Sequence, residues 1–162
     1  MKKTFITAVL FFMTTATFSQ SIKKNGTVFI KHPYIKTVEK AMQAYLKKDD
    51  AANLKIYADT AKYWYSAMNN EKPMGIKEAI KMWDTDFDYY DSIKLKPVGY
   101  PDYLEYVQGN VKIVQSWWEW SGISKKTGET LIINFVQFDW FNKAGKITFE
   151  AIYGDFSKMV KE

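Results

Sequence analysis

Three carboxylates fall among aromatic residues in segments patterned as strands: Asp139 between Phe138 and Trp140, Glu119 within Trp117-Trp118-Glu119-Trp120, and Glu150 in the last strand. A carboxyl set in an apolar wall is desolvated, its pKa rises, and it can exchange protons near neutral pH. Asp139 is the first acid/base candidate, because alternation places it on one face with Gln137, Phe135 and Ile133. Glu119 is the second, and Glu150 stands behind both. Against this, an aspartate is seldom buried unpaired, so exposure at the strand end is the commoner outcome.

Other chemistry is narrowed by composition. The chain has one histidine, His32, and no cysteine, which excludes disulfides, thiolate metal sites and a His-based triad. His32 precedes Pro33 and suits a capping or surface role. Asp84, Asp86, Asp88 and Asp91 lack the glycine turn and terminal glutamate of a calcium loop. At helical spacing Asp84, Asp88 and Asp91 form a solvated side. No metal or cofactor is expected. Every basic residue is lysine, without the arginine forks that read phosphates and guanine edges, so nucleic acid is not an expected partner.

The elements that must position these residues follow from periodicity. Ile35, Val38, Met42 and Tyr45 recur at spacings of three and four, which predicts a helix over 33–48. Asp49-Asp50 breaks it, and a short second helix runs through Leu54 to Tyr57. Residues 61–68 are rich in aromatics without helical spacing and predict a strand. A third helix over 76–90 carries the stripe Ile76, Ile80, Trp83, Phe87 and Tyr90. Strands follow over 93–98, 103–107, 111–123, 130–141 and 146–153, parted by turns at Gly109-Asn110, Lys126-Thr127-Gly128 and Asn142–Gly145. Helices first and a long antiparallel meander last indicate an α+β fold, three helices packed in the concave face of a curved, mostly antiparallel sheet. Such a cone leaves a cavity between helices and sheet.

This order resembles the nuclear transport factor 2-like superfamily, which includes ketosteroid isomerase and SnoaL-like polyketide cyclases. Local echoes are Leu54-Lys55-Ile56-Tyr57-Ala58-Asp59 before the first strand and Asn142-Lys143-Ala144-Gly145-Lys146-Ile147 before the last. The resemblance covers about residues 33–157. Tyr65 falls where the isomerase has its general-base aspartate, and Ala41 falls near its oxyanion tyrosine, so the isomerase residues are not carried over.

The leading expectation is a binding domain with no assigned reaction, whose cavity holds a small apolar or aromatic molecule. Its expected lining is Tyr63, Tyr65, Trp83, Phe87, Tyr90, Trp118 and Gln137. A cyclase, isomerase or dehydratase using Asp139 or Glu119 is the first alternative, and an interaction module with a filled cone the second. A cavity holding a buried carboxylate favours the enzyme, an apolar cavity favours binding, and no cavity favours the module.

Alternation sends Trp118 and Trp120 to one face and Trp117 and Glu119 to the other. Both faces of the late strands carry large apolar groups, which predicts a homodimer through the sheet. Finally, Lys2-Lys3, an apolar run over 5–13 and small residues before Gln20 read as a signal peptide over 1–19. Residues 20–32 are then a leader and 33–162 the domain. The mature chain would be exported, periplasmic or extracellular, with no membrane association after cleavage. Its charge would be +3 instead of +5, because Lys2 and Lys3 leave with the peptide.

Overall fold

The computed structural model describes residues 23–68 and 71–159. The expected signal peptide lies outside them. The chain forms β1 (Gly26–Phe29), α1 (Pro33–Leu46), α2 (Asp50–Ile56), β2 (Tyr57–Tyr65), β3 (Met74–Gly75), α3 (Ile76–Asp84), α4 (Asp86–Tyr89), β4 (Tyr90–Pro97), β5 (Asp102–Tyr106), β6 (Val111–Ser124), β7 (Thr130–Phe141) and β8 (Ile147–Gly154). The eight strands of the described residues make one sheet, seven in the order β1-β5-β6-β7-β8-β2-β3 and β4 paired to β6 beside that path. The 14-residue β6 is long enough to serve two neighbours along one edge, pairing β5 through Val111–Gln115 and β4 through Trp118–Ser124.

Helix starts are set by local chemistry. His32 Nδ1 accepts from Tyr34 N at 3.2 Å and Pro33 opens α1, so the single histidine is a cap. Its ring also stacks on Tyr103, with centroids 3.7 Å apart. Asp49 Oδ1 accepts from Ala52 N at 2.9 Å and starts α2. From α1, Ile35, Val38, Ala41 and Met42 face the core with Ile76, Ala79 and Ile80 of α3. The concave side of the sheet completes this core through Tyr57, Tyr63, Val114, Trp118 and Ile152.

Three sequence readings are corrected. The expected leader is part of the sheet, since β1 pairs antiparallel with β5 from Gly26↔Tyr106 to Phe29↔Tyr103. Its Val28 and Ile30 stay 58% and 70% exposed, and only Phe29 reaches an aromatic partner, Tyr103. The third helix is interrupted at Thr85, whose Oγ1 donates to the Met82 carbonyl at 2.6 Å, and Tyr90 already belongs to a strand. The first long strand starts at Tyr57, directly at the end of α2, and pairs β8 in parallel.

The long hairpin matches its sequence reading. The strand β7 spans the expected residues, and the turn before β8 is held by Asn142 Oδ1, which accepts from Ala144 N and Lys146 N at 2.9 and 3.0 Å. Gly145 completes that turn at φ 75°, a backbone angle that costs glycine little.

Candidate active site

The inward face of the sheet is built by alternation. On β7 the buried positions are Ile133, Gln137, Asp139 and Phe141; on β6 they are Val114, Ser116, Trp118, Trp120 and Gly122. Antiparallel pairing of β7 with β8 puts Asp139 directly opposite Glu150, and parallel pairing of β8 with β2 puts Glu150 beside Tyr63. Side chains so paired are about 5 Å apart at Cβ. Asp139, Glu150 and Tyr63 therefore stand in a row across three strands.

Two carboxyls in such a position cannot both ionise cheaply. Asp139 is 0% exposed and Glu150 1%. Burial pushes the Asp139 carboxyl well above the ordinary carboxylate range, and the charge of Glu150 pushes it further. Burial raises Glu150 to about 7, opposed by hydrogen bonds from Tyr57 and Asp139. Asp139 Oδ2 accepts from Gln137 Nε2 at 2.9 Å, whereas Oδ1 has no partner if both groups are charged. One proton held on Asp139 and shared with Glu150 satisfies Oδ1 and removes the like-charge repulsion. Tyr57 Oη donates to Glu150 from the other side. Burial, and then the Glu150 charge, raise the Tyr57 and Tyr63 hydroxyls well above their ordinary value, so both remain donors.

Glu150 of this pair borders a cavity of about 330 Å³ between helices and sheet, within the usual range for small-molecule sites. Glu150, Gln137, Tyr57 and Tyr63 line it, together with Trp83, Tyr65, Phe135 and Phe156. Asp139 lies behind Glu150. A second polar group, also lining the cavity, joins three segments of chain: Trp120 Nε1 donates to Tyr45 Oη at 2.9 Å, and Tyr45 Oη donates to Asp86 Oδ2 at 3.0 Å. Among the described residues no group of three or more His, Asp or Glu side chains is placed to hold a metal ion.

Of the expected lining, Tyr63, Tyr65, Trp83 and Gln137 meet at the cavity, and Phe87, Tyr90 and Trp118 do not. Phe87 covers Tyr45, with centroids 5.3 Å apart, while Lys48 Nζ lies 5.2 Å from its ring. Tyr90, now in a strand, packs edge-on against Trp120 at 5.1 Å. Trp118 shares the inward face but lies two residues, or ~7 Å, along the strand, where its Nε1 donates to Ser116 Oγ at 2.8 Å. Glu119 is corrected as a catalytic candidate: it projects from the opposite face of β6, between the inward Trp118 and Trp120. Tyr45, Tyr57 and Asp86 were not singled out as site residues. Tyr45 did stand on the apolar stripe of α1, whereas the inward turn of Asp86 left no mark among its acidic neighbours.

The buried pair makes stability depend on pH. Glu150 has an ordinary pKa of 4.5 and a folded value of about 7. Between these the folded chain holds a proton that the unfolded chain releases. The stabilisation is complete below pH 4.5 and is lost as pH rises towards 7, about 3 kcal/mol for a shift of this size. Asp139 acts in the same direction. The Tm is expected to be higher at pH 5 than at pH 7.5, with a flatter profile in Glu150→Gln; equal slopes in the two proteins would contradict the assignment.

This arrangement of helices in the concave face of a curved sheet is the nuclear transport factor 2-like cone. Comparison of the sequence with protein families and with curated proteins gives no match. Solved structures give the likeness. IdmH from Streptomyces antibioticus, a candidate polyketide cyclase, is similar at TM-score 0.64 and 12% identity, over 79% of this chain and 96% of that one. AusH from Aspergillus nidulans is similar at TM-score 0.61 and 13% identity, over 75% and 83%. An NTF2-like protein of unknown function from Burkholderia pseudomallei is similar at TM-score 0.58 and 16% identity, over 80% and 95%. At these identities the likeness establishes the fold alone.

Proposed function

We propose that the protein binds a small, largely apolar molecule in the aromatic cavity and moves protons on it with the Asp139–Glu150 pair. The observation that carries this reading is a buried carboxyl pair with one member, Glu150, facing the cavity. It moves the balance from a binder without a reaction to the acid/base alternative. With its pKa at about 7, Glu150 exists in both forms near neutrality and can take a proton and return it. Its carboxylate form is supported by donation from Tyr57 and Asp139. Protonated tyrosine hydroxyls at the same wall can stabilise negative charge developing on a substrate oxygen. Cyclisation, isomerisation and dehydration all need such transfers.

The test is deuterium exchange. Small cyclic ketones and hydroxyketones are incubated with the protein in D2O and followed by proton NMR. Exchange next to the carbonyl should accelerate, and its rate should rise with pH and level off above about 7, as Glu150 loses its proton. No acceleration across the panel, or a rate that falls over this range, would defeat the reading.

We also propose that two copies pair through the outer sheet face and that the mature protein is exported. The first rests on the outward aromatic array Trp64, Tyr153, Phe138, Trp140 and Phe149, whose neighbouring rings lie 5.1–6.1 Å apart. The second rests on the basic start, apolar run and small residues before Gln20. Expressed with its natural leader in a secreting bacterial host, the protein should begin at or near Gln20 on N-terminal sequencing. An intact Met1 in the cytoplasmic fraction would exclude export.

A further inference from the structure

Gln137 carries a polar atom that the carboxyl pair does not use. The residue is 0% exposed and lines the cavity. Its Nε2 donates to Asp139 Oδ2 at 2.9 Å, and its Oε1 has no hydrogen-bond partner. The orientation of the amide follows from the pair. Oδ1 has no other partner and takes the shared proton, so Oδ2 is an acceptor and requires an N–H. Nε2 therefore turns towards Asp139, which leaves Oε1 unmatched on a buried residue of the cavity lining. Buried amide oxygens are rarely left unmatched.

We propose that Oε1 of Gln137 accepts a hydrogen bond from the bound molecule, so that the cavity selects a hydroxyl-bearing apolar ligand, an alcohol, phenol or enol, over the matching ether. This rests on the small-molecule reading above and names the class of molecule. The two carboxylates at the cavity wall each already accept from a tyrosine: Glu150 from Tyr57, and Asp86 from Tyr45. Gln137 lies opposite Ile152, diagonal to Glu150 on the adjacent strand. A hydroxyl held there sets the ring that bears it beside the Glu150 carboxyl. An ether oxygen in the same position would face Oε1 as a second acceptor, with no proton between them.

The full chain is titrated calorimetrically at pH 6 with 2-naphthol, 2-methoxynaphthalene and naphthalene. The naphthol should bind at least about tenfold tighter than the methoxy compound, the size expected for pairing a buried acceptor. Gln137→Met should bring the two within about twofold while affinity for naphthalene is kept, and Glu150→Gln should retain the preference. Equal affinities in the wild type would mean that solvent satisfies the amide and would overturn the proposal. So would a preference that survives Gln137→Met but vanishes in Glu150→Gln, which would make the carboxyl the acceptor. If none of the three compounds binds, the small-molecule reading itself fails. Should Gln137→Met not fold, the wild-type preference decides, with the side-chain carbonyl carbon of Gln137 shifting on addition of 2-naphthol and not of 2-methoxynaphthalene.

Discussion

Glu150→Gln should reduce deuterium exchange by about 10²–10⁴-fold, the usual contribution of a positioned acid/base group. The substitution keeps the shape of a side chain that is 1% exposed, and it removes the charge that repels Asp139. The fold is therefore retained, with higher stability than the wild type above pH 7, where the native pair has begun to ionise. Asp139→Asn separates the two carboxyls. It leaves a base at the cavity wall but removes the proton that Asp139 shares with Glu150, so exchange should persist with its pH midpoint displaced. Full activity in Glu150→Gln, in a protein with native circular dichroism, would place the chemistry elsewhere.

Phe138→Lys should convert a dimer into a folded monomer. Phe138 lies in the middle of the outward array, 6.1 Å from the ring of Trp140 and 5.9 Å from that of Tyr153. The helices pack on the concave side, so they do not cover these rings. Contiguous apolar surface of this kind marks an interaction site. A second copy is the simplest cover, through a two-fold interface of roughly 1,200–2,000 Å². A central aromatic in such an interface contributes about 2 kcal/mol or more, and a two-fold axis counts each substitution twice. Trp117→Lys, on the same face of β6, should act in the same direction. Light scattering that finds the wild type monomeric at high micromolar concentration would sink the dimer, as would an unchanged mass for Phe138→Lys.

Local patterns in the sequence carried the helices and the long hairpin, and non-local pairings were hidden from it. The stripe Ile35, Val38, Met42, Tyr45 has helical spacing and became α1; the alternation from Thr130 to Phe141 became β7 without change. Tyr57 begins a strand at a helix end, where no period has room to develop, and its partner Ile147 lies far along the chain. The same division runs through the site. Alternation put Gln137 and Asp139 on one shared face, and the structure turns that face inward. Glu150 as the partner of Asp139 was not legible, because the register slips between Trp140 and Phe141 and counting back from the turn misses the pairing by a residue. Glu119 failed for a related reason. Its aromatic neighbours signalled an apolar setting, but Trp118 and Trp120 took the inside and alternation sent the carboxylate out. Asp86 was left off the solvated side formed by Asp84, Asp88 and Asp91, but nothing local pointed it inward, because its inward turn depends on Tyr45 from another helix.

The proton shared by Asp139 and Glu150 is the centre of this account, and carbon-13 NMR of the labelled side-chain carboxyls measures it directly. The pair should titrate as a unit, with a step at about 7 from Glu150 and the Asp139 carboxyl well above its ordinary range. The step at about 7 should disappear in Glu150→Gln. If every aspartate and glutamate carboxyl instead titrates at its ordinary value of about 4, the pair holds no proton near neutrality and the proposed chemistry is contradicted.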